Sequence, residues 1–249
     1  MSARRRYRHV VITGAAGGIG QALSRRFLAE GYRVVLVDRR GDQLARVQNL
    51  SAVEMVTLDV TDTSGLRALA DNLGPRQDGP DVIINNAAVH SRLWLPEPGN
   101  DGAAVLQSID QEIRTNFTAV AQNCAIWLPY LLARPEGAAI VNIASALAFV
   151  PKRSSPIYCA SKAALQQFSL VLGQQLKGTR VSVVTVFPPL VSTAMTTGHA
   201  AGGMSPDRFA GAFYRQFAAG RQAIRVGNAR WQYWLSRLSP KMASWTVEP

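Results

Sequence analysis

Tyr158 and Lys162 stand four residues apart in Tyr158-Cys159-Ala160-Ser161-Lys162, a spacing that on a helix puts a phenol and an ammonium on one face. A cation beside a phenol favours the phenolate and lowers its pKa from about 10. Such a pair can exchange a proton near neutral pH, although the same spacing is also common on helix surfaces. Ser145 adds weight to the chemical reading. It follows the apolar run Ala139-Ile140-Val141-Asn142-Ile143, and a hydroxyl emerging from a strand end can bond an oxygen on which charge develops.

A second group of residues suits a phosphate-bearing ligand. Thr13-Gly14-Ala15-Ala16-Gly17-Gly18-Ile19-Gly20 lies between an apolar run and a helical pattern. Glycines there allow a sharp turn and bring backbone N–H groups and a helix N-terminus up to a pyrophosphate. Asp38 ends the next apolar run, where a dinucleotide fold uses an acid to bond the adenosine ribose and repel a 2′-phosphate. This favours NAD(H), while Arg39 and Arg40 beside it leave NADP(H) open as the second choice. Asp59-Val60 and Asn85-Asn86-Ala87-Ala88 follow later runs and add polar groups at the same sheet edge; loop capping accounts for either taken alone.

These groups need elements to hold them. Apolar, β-branched runs at His9–Thr13, Arg33–Val37, Val53–Leu58, Asp81–Asn85, Ala138–Ile143 and Arg180–Phe187 predict six strands. Helical spacing fills Gly18–Glu30, Gln43–Leu50, Ser64–Leu73, Gly102–Leu132 and Ser155–Leu176 between them. Ala223–Val226 is a short seventh strand candidate after a helix at Pro206–Ala218. Alternating strands and helices imply an α/β class: a single-domain, doubly wound Rossmann fold whose parallel sheet is covered by helices on both faces. Residues 1–8 form a basic tail. Residues 190–222 supply a substrate loop, with Leu190–Ser205 the best lid candidate, and 227–249 a C-terminal helix and tail.

A hydrophobic content of 47% with 17% charged residues describes a folded chain rather than a disordered one. The apolar runs are short, and the Arg-rich start leads directly into a strand pattern, so the expected location is the cytoplasm. Cys124 and Cys159, with scattered His9, His90 and His199, predict no disulfide framework and no metal site. The net charge of +11 is concentrated at the ends: +4 in residues 1–8 and +5 in residues 200–249, leaving +2 between. Charge so placed reads as solvated termini or an anion-attracting surface rather than a nucleic-acid groove.

Taken together, the glycine pattern, the Asn-Asn-Ala-Ala step, Asn116, Ser145 and the Tyr158/Lys162 pair resemble the short-chain dehydrogenase/reductase family, from Val10 to about Pro240. The stretches Ala144–Phe149 and Pro156–Ala160 resemble a bacterial branch named after DltE. The resemblance implies a carbonyl or alcohol substrate, hydrophobic or extended if Trp94, Phe149 and Pro151 border it. It assigns Tyr158 as general acid/base, Lys162 as its partner and ribose holder, Ser145 as orienter of the carbonyl oxygen, and Asn116 as support for a water-linked proton relay. Pro188, Val191 and Thr193 would border the nicotinamide. Ala88 stands where the family often has Gly, and Pro189 where it often has Gly, which stiffens that turn. Relatives imply a homodimer or homotetramer through the helices carrying Asn116 and Tyr158.

Some residues carry bland readings. Cys159 points away from the face of Tyr158 and takes a small packing role; His90 and His199 fall near the expected cleft mouth, where either could touch substrate, and read first as solvated loop histidines. Leu93-Trp94-Leu95 walls a pocket or packs a loop. Trp231, Tyr233, Trp234, Leu235 and Leu238, with Arg230 and Arg237, predict an amphipathic helix that docks on the core, meets a subunit, or lies on an acidic membrane, in that order. The leading function is an NAD(H)-linked dehydrogenase or reductase. Against it stand a catalytically silent nicotinamide-binding sensor or scaffold, which has no need of all three of Ser145, Tyr158 and Lys162, and a nucleotide-sugar epimerase or dehydratase, whose usual large C-terminal substrate domain the sequence does not provide.

Overall fold

A computed structural model describes residues 8–44, 52–95, 102–196 and 202–247. The predicted strands form β1 (His9–Thr13), β2 (Arg33–Asp38), β3 (Val53–Thr57), β4 (Val82–Asn85), β5 (Ala138–Ile143), β6 (Val181–Phe187) and β7 (Ala223–Arg225). Among the described residues they make one seven-stranded sheet, β3-β2-β1-β4-β5-β6-β7, with every pairing parallel. Parallel pairing requires crossovers, and helices supply them: α1 (Gly18–Ala29), α2 (Gly41–Leu44), α3 (Thr63–Leu73), α4 (Gly102–Ile113), α5 (Ala119–Leu132), α6 (Pro156–Gln175) and α7 (Pro206–Ala218), then α8 (Ala229–Leu238) and α9 (Pro240–Ser244).

Because strand side chains alternate, each central strand feeds two cores. Val10, Ile12, Val34, Leu36, Val82 and Ile84 pack with Phe27 of α1 and Phe209 and Phe213 of α7. Val11, Val35, Val37 and Ile83 face the opposite way, with Leu66 of α3, Trp127 of α5 and Leu165 of α6. Burial on both faces explains why these runs are continuously apolar rather than alternating.

The order reverses between β1 and β4, so the chain ends of these two strands open a crevice at their carboxyl edge, where ligands bind in such folds. Asn86 spans it: Nδ2 donates to the carbonyls of Thr13 and Gly14, both at 3.0 Å.

One element prediction needs correction. The helix expected over Gly102–Leu132 is interrupted by a π-helical turn at Arg114–Thr118 between α4 and α5, an i→i+5 pattern with no residue signature of its own. Of the helix expected over Gln43–Leu50 the described part is Gly41–Leu44; residues 45–50 lie outside the described residues, as do 1–7 of the basic tail and 197–201 of the expected lid. Ala194–Thr196 forms the short helix expected there, as a 3₁₀ turn.

Candidate active site

The glycine turn is built by steric necessity. Gly14 has φ +66°, and a Cβ there would lie 2.6 Å from Ala87 Cα; a Cβ on Gly20 would lie 2.2 Å from the Gly14 carbonyl oxygen. Neither position accepts a side chain without moving backbone. Gly17 caps α1 with no side chain, which leaves the first N–H groups of the helix aimed at the crevice as an anion site. Ile19 is half-buried on the α1–α7 core. The turn therefore fits a pyrophosphate on the geometry of this chain alone.

Asp38 closes the turn from β2. Its buried carboxylate accepts from the Ala16 and Arg40 amides, both at 3.0 Å, and from Arg40 Nε at 3.4 Å. Arg39 reaches instead toward Asp59, 3.8 Å away, and Asp59 also accepts from the Thr61 amide and hydroxyl. Val60 and Ala87 line a small cleft with Thr13, Asn85 and Thr115. Ala88 follows Ala87, whose amide donates to Thr13 Oγ1 at 3.2 Å.

At the other end of the crevice, β5 delivers Ser145, whose Oγ accepts from the Leu147 amide at 3.1 Å and starts a 3₁₀ turn. Pro156 opens α6, the position where a missing N–H is harmless, and sets Tyr158 and Lys162 in its first turns. Lys162 is buried; Nζ donates to the Ile143 carbonyl at 2.9 Å and lies 5.5 Å from the Tyr158 ring centre. Burial lowers the Lys162 ammonium to about 8, with Glu112 opposing. Ser145, Tyr158 and Lys162 are thus brought together at the edge that carries the glycine turn.

The expected depression of the Tyr158 phenol is reversed. Burial raises its pKa, the Ser145 hydroxyl lowers it, and Glu112 and Cys159 push it further up. Desolvation is the largest effect on the phenol, ahead of the Ser145 hydroxyl that opposes it.

Asn116 sits in the π-helical turn, fully buried. Its Oδ1 accepts from the Val89 amide at 2.9 Å, and Nδ2 donates to the Val89 carbonyl and to Ser161 Oγ at 2.8 and 3.2 Å. Two contacts were not foreseen from the sequence. Glu112, one turn before Asn116, is buried and accepts from the Ser91 amide; burial raises its carboxyl pKa. His90, expected to be solvated, is half-buried: its Nε2 is 2.8 Å from Ser155 Oγ and its ring rests on Tyr158. No spacing signals either one, because each contact joins separate segments of the chain.

After β6, Pro188 is buried and its carbonyl accepts from the Ala146 amide. Val191 is buried and forms a bridge with Met204. A Cβ on Gly18 would meet Thr193 Cγ2 at 2.8 Å, so the segment after β6 is seated on the glycine turn. Cys159 is half-buried, and its Sγ accepts from the Lys152 amide at 3.4 Å. Leu93 is buried, while Trp94 and Leu95 are exposed, with Arg153 over the Trp94 ring. His199 lies outside the described residues. Among the described residues no cluster of metal-binding side chains occurs.

The sequence matches the family model described as short chain dehydrogenase over residues 8–202. It is 37% identical to the uncharacterized oxidoreductase DltE of Bacillus subtilis over 187 residues, 75% of this chain and 72% of that one. It is 33% identical to 1-deoxy-11-beta-hydroxypentalenate dehydrogenase of Streptomyces avermitilis over 263 residues, 94% of this chain and 96% of that one. Among solved structures, a short chain dehydrogenase from Burkholderia cenocepacia in complex with NADP superposes with a TM-score of 0.85 at 21% identity, covering 98% of this chain and 99% of that one. One from Sphingobium yanoikuyae in complex with NADPH gives 0.78 at 26% identity, covering 95% of each. The chain belongs to the short-chain dehydrogenase/reductase family, in its DltE-like branch.

Proposed function

We propose that this NAD(P)-dependent oxidoreductase interconverts a secondary alcohol and a ketone, with NAD(H) as its preferred nucleotide and Ser145, Tyr158, Lys162 and Asn116 as the residues that serve the reaction. The observation that carries the reading is the convergence of the Ser145 hydroxyl, the Tyr158 phenol and the Lys162 ammonium on the sheet edge that also holds the glycine turn. A silent nucleotide sensor has no use for three such groups.

Nicotinamide supplies the hydride chemistry when bound. The chain supplies position and proton. Gly14, Gly17, Gly18, Ile19 and Gly20 hold the pyrophosphate; Asp38, Arg39, Asp59 and Val60 border the adenosine; Asn86, Ala87, Ala88, Pro188, Val191 and Thr193 border the nicotinamide side. Burial keeps the Tyr158 phenol protonated, ready to donate to a carbonyl oxygen that Ser145 orients. In the reverse direction the positive charge of Lys162 offsets the cost of forming the phenolate. Asp38 favours NAD(H) because its carboxylate occupies the place where a 2′-phosphate would need a cation. Trp94 and Phe149 suit a hydrophobic substrate. A cytoplasmic homodimer or homotetramer is the proposed form.

Titration of the purified protein with NADH and NADPH, followed by nicotinamide fluorescence, tests the reading. Tighter binding of NADH is expected, with Tyr158→Phe retaining binding and losing turnover on a panel of ketones. Binding of neither nucleotide sinks the proposal and moves weight to a scaffold role.

A further inference from the structure

α8 has two unlike sides. Ala229 and Gln232 are buried, and the Tyr233 ring lies 5.4 Å from Phe149 and 3.8 Å from the Arg225 guanidinium. That side docks the helix on the core. The other side is left in water: Trp231, Trp234 and Leu238 are 80, 63 and 84% exposed. At about 100° per residue, Trp231, Leu238, Trp234, Arg230 and Arg237 follow one another around a single arc, an apolar stripe edged by two cations. α9 packs beside it and adds exposed Met242 and Trp245 next to Lys241.

An aromatic and aliphatic patch held open to solvent marks a contact surface, and charge selects what covers it. Residues 208–247 contain seven Arg or Lys and no Asp or Glu. A second copy brought up by twofold symmetry would set this cationic face against an identical cationic face. A nucleic acid would satisfy the cations but leave Leu238 and Met242 without an apolar partner. An anionic bilayer surface takes both kinds of group: indoles lodge at headgroup depth, Leu238 and Met242 reach the acyl boundary, and the cations meet lipid phosphates.

We infer that the α8–α9 face docks this protein on anionic membrane surfaces. The attachment is peripheral: among the described residues no helix is long and apolar enough to cross a membrane. The inference rests on surface geometry and charge and stands apart from the oxidoreductase reading.

The test is co-sedimentation of the full chain with vesicles of phosphatidylcholine alone and of equimolar phosphatidylcholine and phosphatidylglycerol. Binding to the anionic vesicles is expected to be on the order of tenfold tighter or more, given three cations at the surface. Trp231→Ala/Trp234→Ala should abolish it, and Arg230→Gln/Arg237→Gln should remove the preference for phosphatidylglycerol. Nucleotide binding and circular dichroism of the variants establish that they fold. Equal partitioning into both vesicle types, or none, overturns the proposal. So does a fall in solution mass of the double tryptophan variant, measured by light scattering, which would assign the face to a second copy. Tight, variant-sensitive binding of a labelled oligonucleotide with no vesicle binding overturns it as well.

Discussion

The His90 imidazole rests on the Tyr158 phenol, 4.6 Å between ring centres and inclined by 47°. Its place is fixed from both sides along the chain: Asn116 accepts from the Val89 amide and Glu112 from the Ser91 amide. A carboxylate and a carboxamide four residues apart thus clamp the loop whose central ring covers the phenol.

That clamp predicts separable effects of charge and shape at Glu112. Glu112→Gln keeps an acceptor for the Ser91 amide and removes a negative charge that raises the pKa of both Tyr158 and Lys162. The pH profile of kcat should move to lower pH with little change in Tm. Glu112→Ala leaves the Ser91 N–H without its acceptor, at a cost of about 1–3 kcal/mol, and should lower Tm and kcat together. An unchanged profile in Glu112→Gln would separate Glu112 from the chemistry.

Two glycines should fail in different ways. In Gly20→Ala the new Cβ meets backbone at 2.2 Å, whereas in Gly18→Ala it meets the Thr193 side chain at 2.8 Å. Backbone cannot yield without reshaping the turn, so Gly20→Ala should weaken NADH by at least about tenfold, a loss of about 1.4 kcal/mol or more, and lower Tm. A side chain can swing aside, so Gly18→Ala should retain the fold and raise KM through the displaced loop. Calorimetric titration with NADH and a thermal melt distinguish the two; equal behaviour would contradict the packing argument.

Much of this arrangement was legible because strands buried on both faces read as unbroken apolar runs, and because the glycine turn can be filled by almost nothing else. Tyr158 and Lys162 stood out through their spacing together with Ser145 at the end of the preceding apolar run. Glu112 did not, since a single acid within a helical pattern looks like surface until Ser91 is brought to it from another segment. The buried net of Asn85, Asn123, Asn142 and Ser169 between β4, β5, α5 and α6 was invisible for the same reason. The direction of the Tyr158 shift required knowing that the fold buries the phenol, which the spacing does not show.

Asp38 carries two duties that substitutions can part. On the proposed reading its charge disfavours a 2′-phosphate; its oxygen accepts from the Ala16 amide. Asp38→Asn keeps an acceptor and loses the charge, so the NADH-to-NADPH affinity ratio should fall with Tm nearly intact. Asp38→Ala should lower the ratio and also destabilise by about 1–3 kcal/mol through the orphaned N–H. Fluorescence titration with both nucleotides, beside thermal melts, reads the two separately; an unaltered ratio in both variants would remove Asp38 from nucleotide selection.

Asp81 ties the starts of β4 and β1 together, accepting from the Arg8 amide at 2.8 Å and the His9 amide at 3.3 Å. Burial nevertheless raises its pKa from 3.8 to about 6, against those bonds. The folded state then binds the proton more tightly than the unfolded chain, so stability falls as pH rises from about 3.8 to about 6 and stays low above that. Nearby His9, lowered by burial, works the other way: protonation of the unfolded chain costs stability as pH falls below 6.5. Comparing wild type with Asp81→Asn cancels the His9 contribution, because both chains carry it. Relative to that variant, wild type should lose about 1–3 kcal/mol between pH 3 and pH 7, the upper figure being the full shift at 1.36 kcal/mol per unit and the lower allowing for partial solvent access. Urea unfolding midpoints of both proteins at the two pH values measure the difference. A constant gap would mean that Asp81 stays ionised in the fold, held by its two amides more strongly than burial opposes it.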